Sequence, residues 1–424
     1  MKSKVLLVAV GTGEGTENGI VASIKDSLPE YITFIMTEKS KVIYEKVIDK
    51  LSDEDFIDKN EIILSNGEEE DFQKVFIKVK DCINSYISKG IKKENIFIDI
   101  TFGTKAITAG LITAGIYEKI KHIKYVSGGN RDKISGKVIS GTEKIIIIQP
   151  TEIFNHYYYD EFKNFFNSYQ FEASKISISN ISDNFFYDYN RGNFKDAYDY
   201  IIFAYSQWDR FNYTKAYNEL CKNKEKYKLI KDFNHEKYKK NFEFLEKLSE
   251  KENKEKYSEE IIVDIFSNAK RRAEEKKFDD ALIRLYRVME LISQNSLYYK
   301  HGIDPSNIEE SQFDKIPELI RKKIKENIKR ENKKNTSGMS DNFEILKSLN
   351  DKIGIKFFDD KKIRDLLNIR NNSILIHGEK PISENNFNNL LEIVNQYLIL
   401  FFNNEDIFNK KLELATMAKF RIWD

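Results

Sequence analysis

The sequence predicts a chain of two characters: an α/β N-terminal part built on a Rossmann-like parallel sheet, then an all-α helical bundle. Three observations carry this expectation. Up to about Pro150, short β-branched runs alternate with helix-periodic stretches, the rhythm of a parallel sheet with helices on both faces. Beyond about Phe154 the strand-like runs cease and apolar residues recur at helical spacing. A length of 424 residues, 41% hydrophobic and 32% charged, is enough for two or three cores.

Taken in order, Val5–Val10, Tyr31–Met36, Glu61–Leu64, Ile96–Ile100 and Lys121–Val126 read as strands. Gly19–Leu28, Lys41–Leu51, Asp71–Lys89 and Thr104–Glu118 read as the helices between them. A final hairpin is expected at Lys137–Gln149, turning at Ser140-Gly141-Thr142-Glu143, and the first domain is assigned to residues 1–152. Residues 153–256 are rich in aromatics and lysine and form a helical connecting region, with a linker near Glu250–Lys256. Residues 257–424 form the bundle. Ala281, Leu282, Leu285, Val288, Met289 and Ile292 make one apolar stripe; Phe387, Leu390, Leu391, Val394, Tyr397, Leu398, Phe401 and Phe402 make another. Between them, Ile363, Leu366, Leu367, Arg370, Ile374 and His377 follow helical spacing until Gly378 and Pro381 stop the helix.

Composition narrows the function. A net charge of +1 gives no overall attraction to nucleic acid, so any RNA contact must be local, and no helix-turn-helix stands out; stable DNA binding is not expected. Two cysteines, Cys82 and Cys221, make neither a disulfide framework nor a zinc site, so no metal is expected. The apolar opening Val5–Val10 is too short for a signal peptide and breaks into glycine, and no run has membrane-spanning length. The expected location is the cytoplasm.

Three loops should gather at the carboxyl ends of the strands, where open parallel sheets bind ligands. Gly11-Thr12-Gly13-Glu14-Gly15-Thr16 follows the first strand, and its glycines let backbone amides approach an anion at a helix N-terminus. Asp99-Ile100-Thr101-Phe102-Gly103-Thr104-Lys105 follows the fourth, with hydroxyls and an ammonium at the mouth. Ser127-Gly128-Gly129-Asn130-Arg131 follows the fifth. The third glycine of the first loop comes too early for a dinucleotide fingerprint, and Thr37-Glu38 is an uncertain ribose partner, so a nicotinamide enzyme is a minor reading.

The second site is Arg370-Asn371-Asn372-Ser373-Ile374-Leu375-Ile376-His377-Gly378, with Arg370 and His377 two turns apart on the stripe meant for burial. A buried guanidinium cannot shed its charge and needs an anionic partner, supplied either by the protein or by a substrate phosphate. The protein-supplied alternative is an ion pair with Glu290 or Asp365, and His377 as a simple helix-end residue is the matching alternative. Arg284, Arg287 and Glu290 read as surface salt bridges, with support of the site as the alternative; the basic run around Lys322–Lys334 reads as a solvated face, with RNA attraction as the alternative; and Tyr157, Tyr158 and Tyr159 read as packing, with base stacking as the alternative.

Asp99-x-Thr101-x-x-x-Lys105 after the fourth strand resembles the ligand motif of the CRISPR-associated Rossmann-fold (CARF) domain. That resemblance implies homodimers binding a cyclic oligoadenylate, with Gly11, Thr12, Gly13, Thr101, Gly103, Thr104 and Lys105 contacting the ring and Asp99 structural. Gly128 and Asn130 complete the candidate ligand set. The C-terminal nonapeptide resembles the HEPN ribonuclease motif, and Asp279-Asp280-Ala281 with Arg284-Leu285-Tyr286-Arg287 and Glu290 is similar to the 02710-type branch of type III ancillary nucleases. The implied function is an endoribonuclease of CRISPR antiviral defence, acting on single-stranded RNA and activated by cyclic oligoadenylate, with tetra-adenylate favoured and no cofactor. Its chemistry needs no metal, because the ribose 2′-hydroxyl is the nucleophile. Arg370 would hold the phosphate, His377 would move protons and Asn371 would orient the substrate. Two copies facing across a dimer axis would make a fuller site than one. Two alternatives stand beside this: a regulatory protein with an inert HEPN dimerisation bundle, and a ring nuclease degrading the cyclic oligoadenylate.

Overall fold

The computed structural model describes residues 3–51, 58–127, 142, 144–188, 192–252, 254–331, 336–363 and 381–422. The chain divides into two compact units, residues 1–157 and 158–424.

The first unit is a six-stranded sheet of order β3-β2-β1-β4-β5-β6. Its strands are β1 (Val5–Ala9), β2 (Tyr31–Thr37), β3 (Asp58–Leu64), β4 (Ile96–Asp99), β5 (His122–Ser127) and β6 (Lys144–Ile148). The first five pair in parallel and β6 runs antiparallel to β5. The expected terminal hairpin therefore contributes its second arm as the sheet edge; the remainder of Lys137–Gln149 lies largely outside the described residues. The helices are α1 (Thr16–Ser27), α2 (Lys41–Lys50), α3 (Phe72–Ser88) and α4 (Lys105–Tyr117). Successive side chains of a strand point to opposite faces, so a run buried throughout needs cover on both. Strand β1 meets this condition: Val5, Leu7 and Ala9 join the core under α3 and α4, whereas Leu6 and Val8, with Val10 just beyond the strand, join the core under α1 and α2.

Two boundaries depart from the sequence reading for physical reasons. Strand β3 starts at Asp58 rather than Glu61, because an edge strand can turn polar residues such as Lys59 and Glu61 to solvent. Helix α1 starts at Thr16 rather than Gly19, one residue after Gly15 takes a left-handed φ of 88°.

Among its described residues, the second unit is helical apart from a two-stranded ribbon of β7 (Tyr187–Asp188) and β8 (Gly192–Asn193). Helix α5 (Thr151–Asn167) leads into α6 (Phe171–Ser179), α7 (Lys195–Asp209), α8 (Tyr213–Lys222) and α9 (His235–Lys251). There follow α10 (Glu259–Glu274), α11 (Phe278–Asn295), α12 (Glu318–Glu331), α13 (Met339–Ser348), α14 (Lys352–Asp359), α15 (Glu384–Phe402) and α16 (Glu405–Ala415). The two apolar stripes read from the sequence are the buried faces of α11 and α15. The middle stretch has no core of its own: Phe162, Tyr205, Trp208 and Phe244 belong to the same cluster as Leu285, Leu346 and Tyr397.

A segment after α16 completes that core. Asn241, fully buried on α9, donates to the carbonyls of Leu414 (2.9 Å) and Thr416 (2.8 Å) and accepts from the Ala418 amide (2.7 Å) and the Tyr205 hydroxyl (2.9 Å). Every hydrogen-bonding position of its amide is thus used, three of them to hold this strap. Phe420 then inserts between Phe162, Phe166 and Phe233, with ring centroids 4.7–5.0 Å away.

Candidate functional site

The strand order reverses between β1 and β4, and the loops leaving these strands enclose a cavity of about 290 Å³. Its walls include Gly11, Thr12, Gly13, Thr101, Gly103 and Thr104, six of the nine positions expected to meet a ligand. Lys105 is exposed at the start of α4 and is absent from the lining. Gly128 and Asn130 lie outside the described residues.

The two loops are shaped by glycine at two points. Gly103 has φ +102°, and a Cβ there would lie 2.9 Å from Cγ2 of Ile107. A Cβ on Gly19 would lie 2.6 Å from the Phe102 ring, so the β4 loop lies against α1 only because that position is bare.

The cavity's polar character is dominated by main chain. The N-termini of α1 and α4 open beside it at Thr16 and Thr104, adding partial positive charge. The amides of Gly11, Thr12 and Gly13 have no hydrogen-bond partner among the described residues. The nearby Gly15 amide is taken by Glu17 at 2.9 Å.

The threonine hydroxyls are less available than their positions suggest. Thr101 donates its hydroxyl proton to Asp99 Oδ1 (2.5 Å) and accepts the Val126 amide (2.8 Å). Thr104 donates to the Glu69 carbonyl (2.5 Å) and accepts the Ile107 amide (3.2 Å) as the cap of α4. A hydroxyl has one proton, so neither has a donor left for a phosphate. Asp99, fully buried, also takes the Thr101 amide at 2.9 Å and acts as the brace of this loop.

The expected ligand set omitted Val10, Thr16, Thr37, Phe102 and Ile107, which also line the cavity. Thr16 continues the first loop and was within reach of it. Thr37 ends β2 and reaches the cavity only because β2 neighbours β1 in the sheet.

The second candidate site, Arg370, Asn371 and His377, lies outside the described residues, as does Asp365. What precedes and follows it is described. Ile363 is buried, and the Ile382 amide donates to Asp279 Oδ2 at 3.1 Å. Arg284 is more than a surface charge: it pairs with Asp280 (2.5 Å) and donates to Asn268 (2.5 Å), which in turn donates to Asp209. Arg287 and Glu290 form an ion pair of 2.6 Å on the same helix. In α12, Arg321, Lys322 and Lys323 each face a carboxylate, of Asp314, Glu318 and Asp341. Tyr159 packs inward, donating to Asp232 at 2.8 Å. Among the described residues, no group of three or more His, Cys, Asp or Glu side chains could hold a metal ion, and no helix is long and apolar enough to cross a membrane.

Residues 250–400 match the family model described as the Csm6 HEPN domain. That span contains Arg370, Asn371 and His377. Among solved structures, Enterococcus italicus Csm6 bound to cyclic hexa-2′-fluoro-hexa-dAMP is similar over 98% of both chains, with TM-score 0.53 and 14% identity. At that identity the likeness establishes the fold, and it does so for both units. No curated protein matches the chain. The family match supports the HEPN resemblance read from the sequence, and the structural likeness supports the expected fold of both parts.

Proposed function

We propose that this chain is a ribonuclease effector of type III CRISPR defence: a cytoplasmic homodimer that binds cyclic oligoadenylate in its N-terminal cavities and then cleaves single-stranded RNA with Arg370, Asn371 and His377. The observation that carries the reading is that the Csm6 HEPN match spans the Arg370–His377 motif.

The geometry of the first unit supports the activator half. Free amides on a glycine loop and two helix N-termini suit phosphodiester oxygens. The cavity, about 290 Å³, is at the small end of the roughly 300–1,000 Å³ typical of ligand sites. It has room for about one nucleotide, so a ring of four or six calls for a second copy of the chain. The solved E. italicus protein holds a six-membered ring analogue; tetra-adenylate remains the expectation from the sequence, and both rings belong in the assay.

In the reaction, the 2′-hydroxyl adjacent to the scissile phosphate passes its proton to solvent water and attacks phosphorus as the bond to the 5′-oxygen breaks. Arg370 stabilises the charge gathering on the phosphoryl oxygens, and its guanidinium stays protonated throughout. His377 transfers a proton to the departing 5′-oxygen, and Asn371 orients the phosphate or the ribose. The products are a 2′,3′-cyclic phosphate and a 5′-hydroxyl, and none of these steps calls on a metal.

The test is cleavage of a labelled single-stranded RNA with cyclic tetra- or hexa-adenylate, with and without a chelator. The expected outcome is cleavage that one of the rings stimulates, that survives the chelator, and that Arg370→Ala or His377→Ala reduces roughly 10²–10⁴-fold. No cleavage with either ring, or undiminished cleavage by the double alanine variant, would overturn the reading.

A further inference from the structure

Two of the lysine-rich helical segments in the second unit treat their charges differently. In α12 the first three cations are each matched by a carboxylate. From the end of α13 through α14 to the residues before Ile363, five lysines occur within sixteen residues: Lys347, Lys352, Lys356, Lys361 and Lys362. None of the five makes an ion pair among the described residues, and all but the half-buried Lys356 are exposed.

The acidic residues in the same stretch are Asp351, Asp359 and Asp360, which leaves an excess of two positive charges. Two of these carboxylates are already engaged. Asp351 accepts the Ile353 amide as the cap of α14 and pairs with His301 at 3.2 Å. Asp360 accepts the Lys362 amide.

The segment is also held firmly. A Cβ on Gly354 would lie 2.3 Å from the Lys347 amide nitrogen, so α14 is pressed directly onto the end of α13. Phe357 stacks on Phe343 at 3.9 Å and fixes the rotation of α14. Two ammonium groups rest on aromatic faces instead of carboxylates: Lys347 on Phe358 (4.8 Å) and Lys356 on Tyr397 (5.2 Å). Aromatic seating orders a cation without neutralising it. In the chain, the segment runs straight into the stretch that holds Arg370.

We propose that the α14 segment, through Lys347, Lys352, Lys356, Lys361 and Lys362, is the surface that binds the phosphate backbone of single-stranded RNA. This inference rests on the ribonuclease reading above and adds where the substrate strand is held. Ammonium groups without carboxylate partners on a firmly packed segment release counterions when they meet phosphates, which gives sequence-independent affinity with a steep salt dependence. The paired cations of α12 have far less of this to give, because binding RNA there would first break their ion pairs.

The test uses the full-length chain carrying His377→Ala, so that RNA is bound but not consumed. Fluorescence anisotropy with a labelled single-stranded RNA is read across a salt series for this parent, for Lys352→Gln/Lys356→Gln/Lys361→Gln, and for a control, Arg321→Gln/Lys322→Gln/Lys323→Gln. For single strands the logarithmic salt slope falls by about 0.7 for each phosphate that is no longer neutralised, so the α14 triple variant should drop about 2 from its slope and bind roughly a hundredfold more weakly in 0.1 M salt. The α12 control should keep both, and arginine at the three α14 positions should restore binding. In the cleaving background the α14 variant should raise KM and leave kcat unchanged. An unaltered slope, an equal loss in the α12 control, or no rescue by arginine would overturn the proposal. The binding assay needs no cleavage, so failure of the ribonuclease reading would show separately, as an uncut substrate with the parent Arg370 and His377 intact.

Discussion

Gly103→Ala is the substitution whose cost can be worked most directly from the cavity. At φ +102° an L side chain is strained, at about 1–2 kcal/mol. The new Cβ would also meet Ile107 Cγ2 at 2.9 Å and the Ala9 Cβ at 3.3 Å. Ala9 belongs to the central strand and cannot withdraw, so overpacking adds about 1–3 kcal/mol. Together the loss is about 2–5 kcal/mol. For a unit of this size each kcal/mol lowers Tm by about 2–4 °C, so the first unit should melt roughly 5–15 °C earlier. Gly67→Ala is the control: its φ is +89° but nothing lies within 4 Å of the added Cβ, so only the backbone cost applies. Scanning calorimetry resolves the units, and tryptophan fluorescence reads the second alone, since both tryptophans, Trp208 and Trp423, lie there. Calorimetric titration with the cyclic adenylates should show weaker binding for Gly103→Ala, because Gly103 lines the cavity. If Gly103→Ala melts within about a degree of Gly67→Ala, the packing argument is wrong.

Burial works against ionisation of Glu260, but the hydrogen bond from Lys251 (2.8 Å) and the charges of Lys411 and Lys251 outweigh it and hold its carboxyl down at about 2. A lowered folded-state pKa stabilises the fold fully above pH 4.5 and progressively less as the pH falls towards 2. Allowing for solvent screening, the contribution is about 1–2 kcal/mol; the stability gap between wild type and Glu260→Gln should close over that window, and a gap constant with pH would contradict it. Phe420→Ala empties an aromatic nest and should cost about 3–5 kcal/mol, read from the urea midpoint of Trp208 fluorescence. A loss under about 1 kcal/mol would mean the strap is not held as described. Asp279→Ala orphans the Ile382 amide at a cost of about 1–3 kcal/mol, whereas Asp279→Asn keeps an acceptor and should behave nearly as wild type; thermal melts in which the two variants coincide would refute that role.

The sheet was legible because β1, β2 and β4 carry apolar runs buried on two faces, a pattern a surface segment does not produce. The polar start of β3 was not legible, since an edge strand need not alternate cleanly. At the cavity, the strand–loop–helix rule led to Gly11–Gly13 and Thr101–Thr104, the loops on either side of the reversal in strand order. It could not reveal that the Thr101 hydroxyl turns to Asp99 and Val126, because that depends on strand register. Thr37 needed the strand order itself. In the second unit the stripes of α11 and α15 came from simple periodicity. The strap did not: Phe420 has no periodic neighbours, and its partners Phe162, Phe166 and Phe233 lie far back in the chain.

That strap bears on how the protein comes into being. Residues 158–252 are translated early, yet the nest between Phe162, Phe166 and Phe233 stays empty and Asn241 lacks three of its four partners until the chain around 414–420 emerges. At cellular elongation rates the wait from residue 252 to 420 is roughly 10–30 s. During that interval the middle helices are a nascent chain with an open aromatic face, in need of shielding from aggregation. The second unit finishes folding only when nearly all of it has been made, so a truncated product would lack the buried core on which its helices depend.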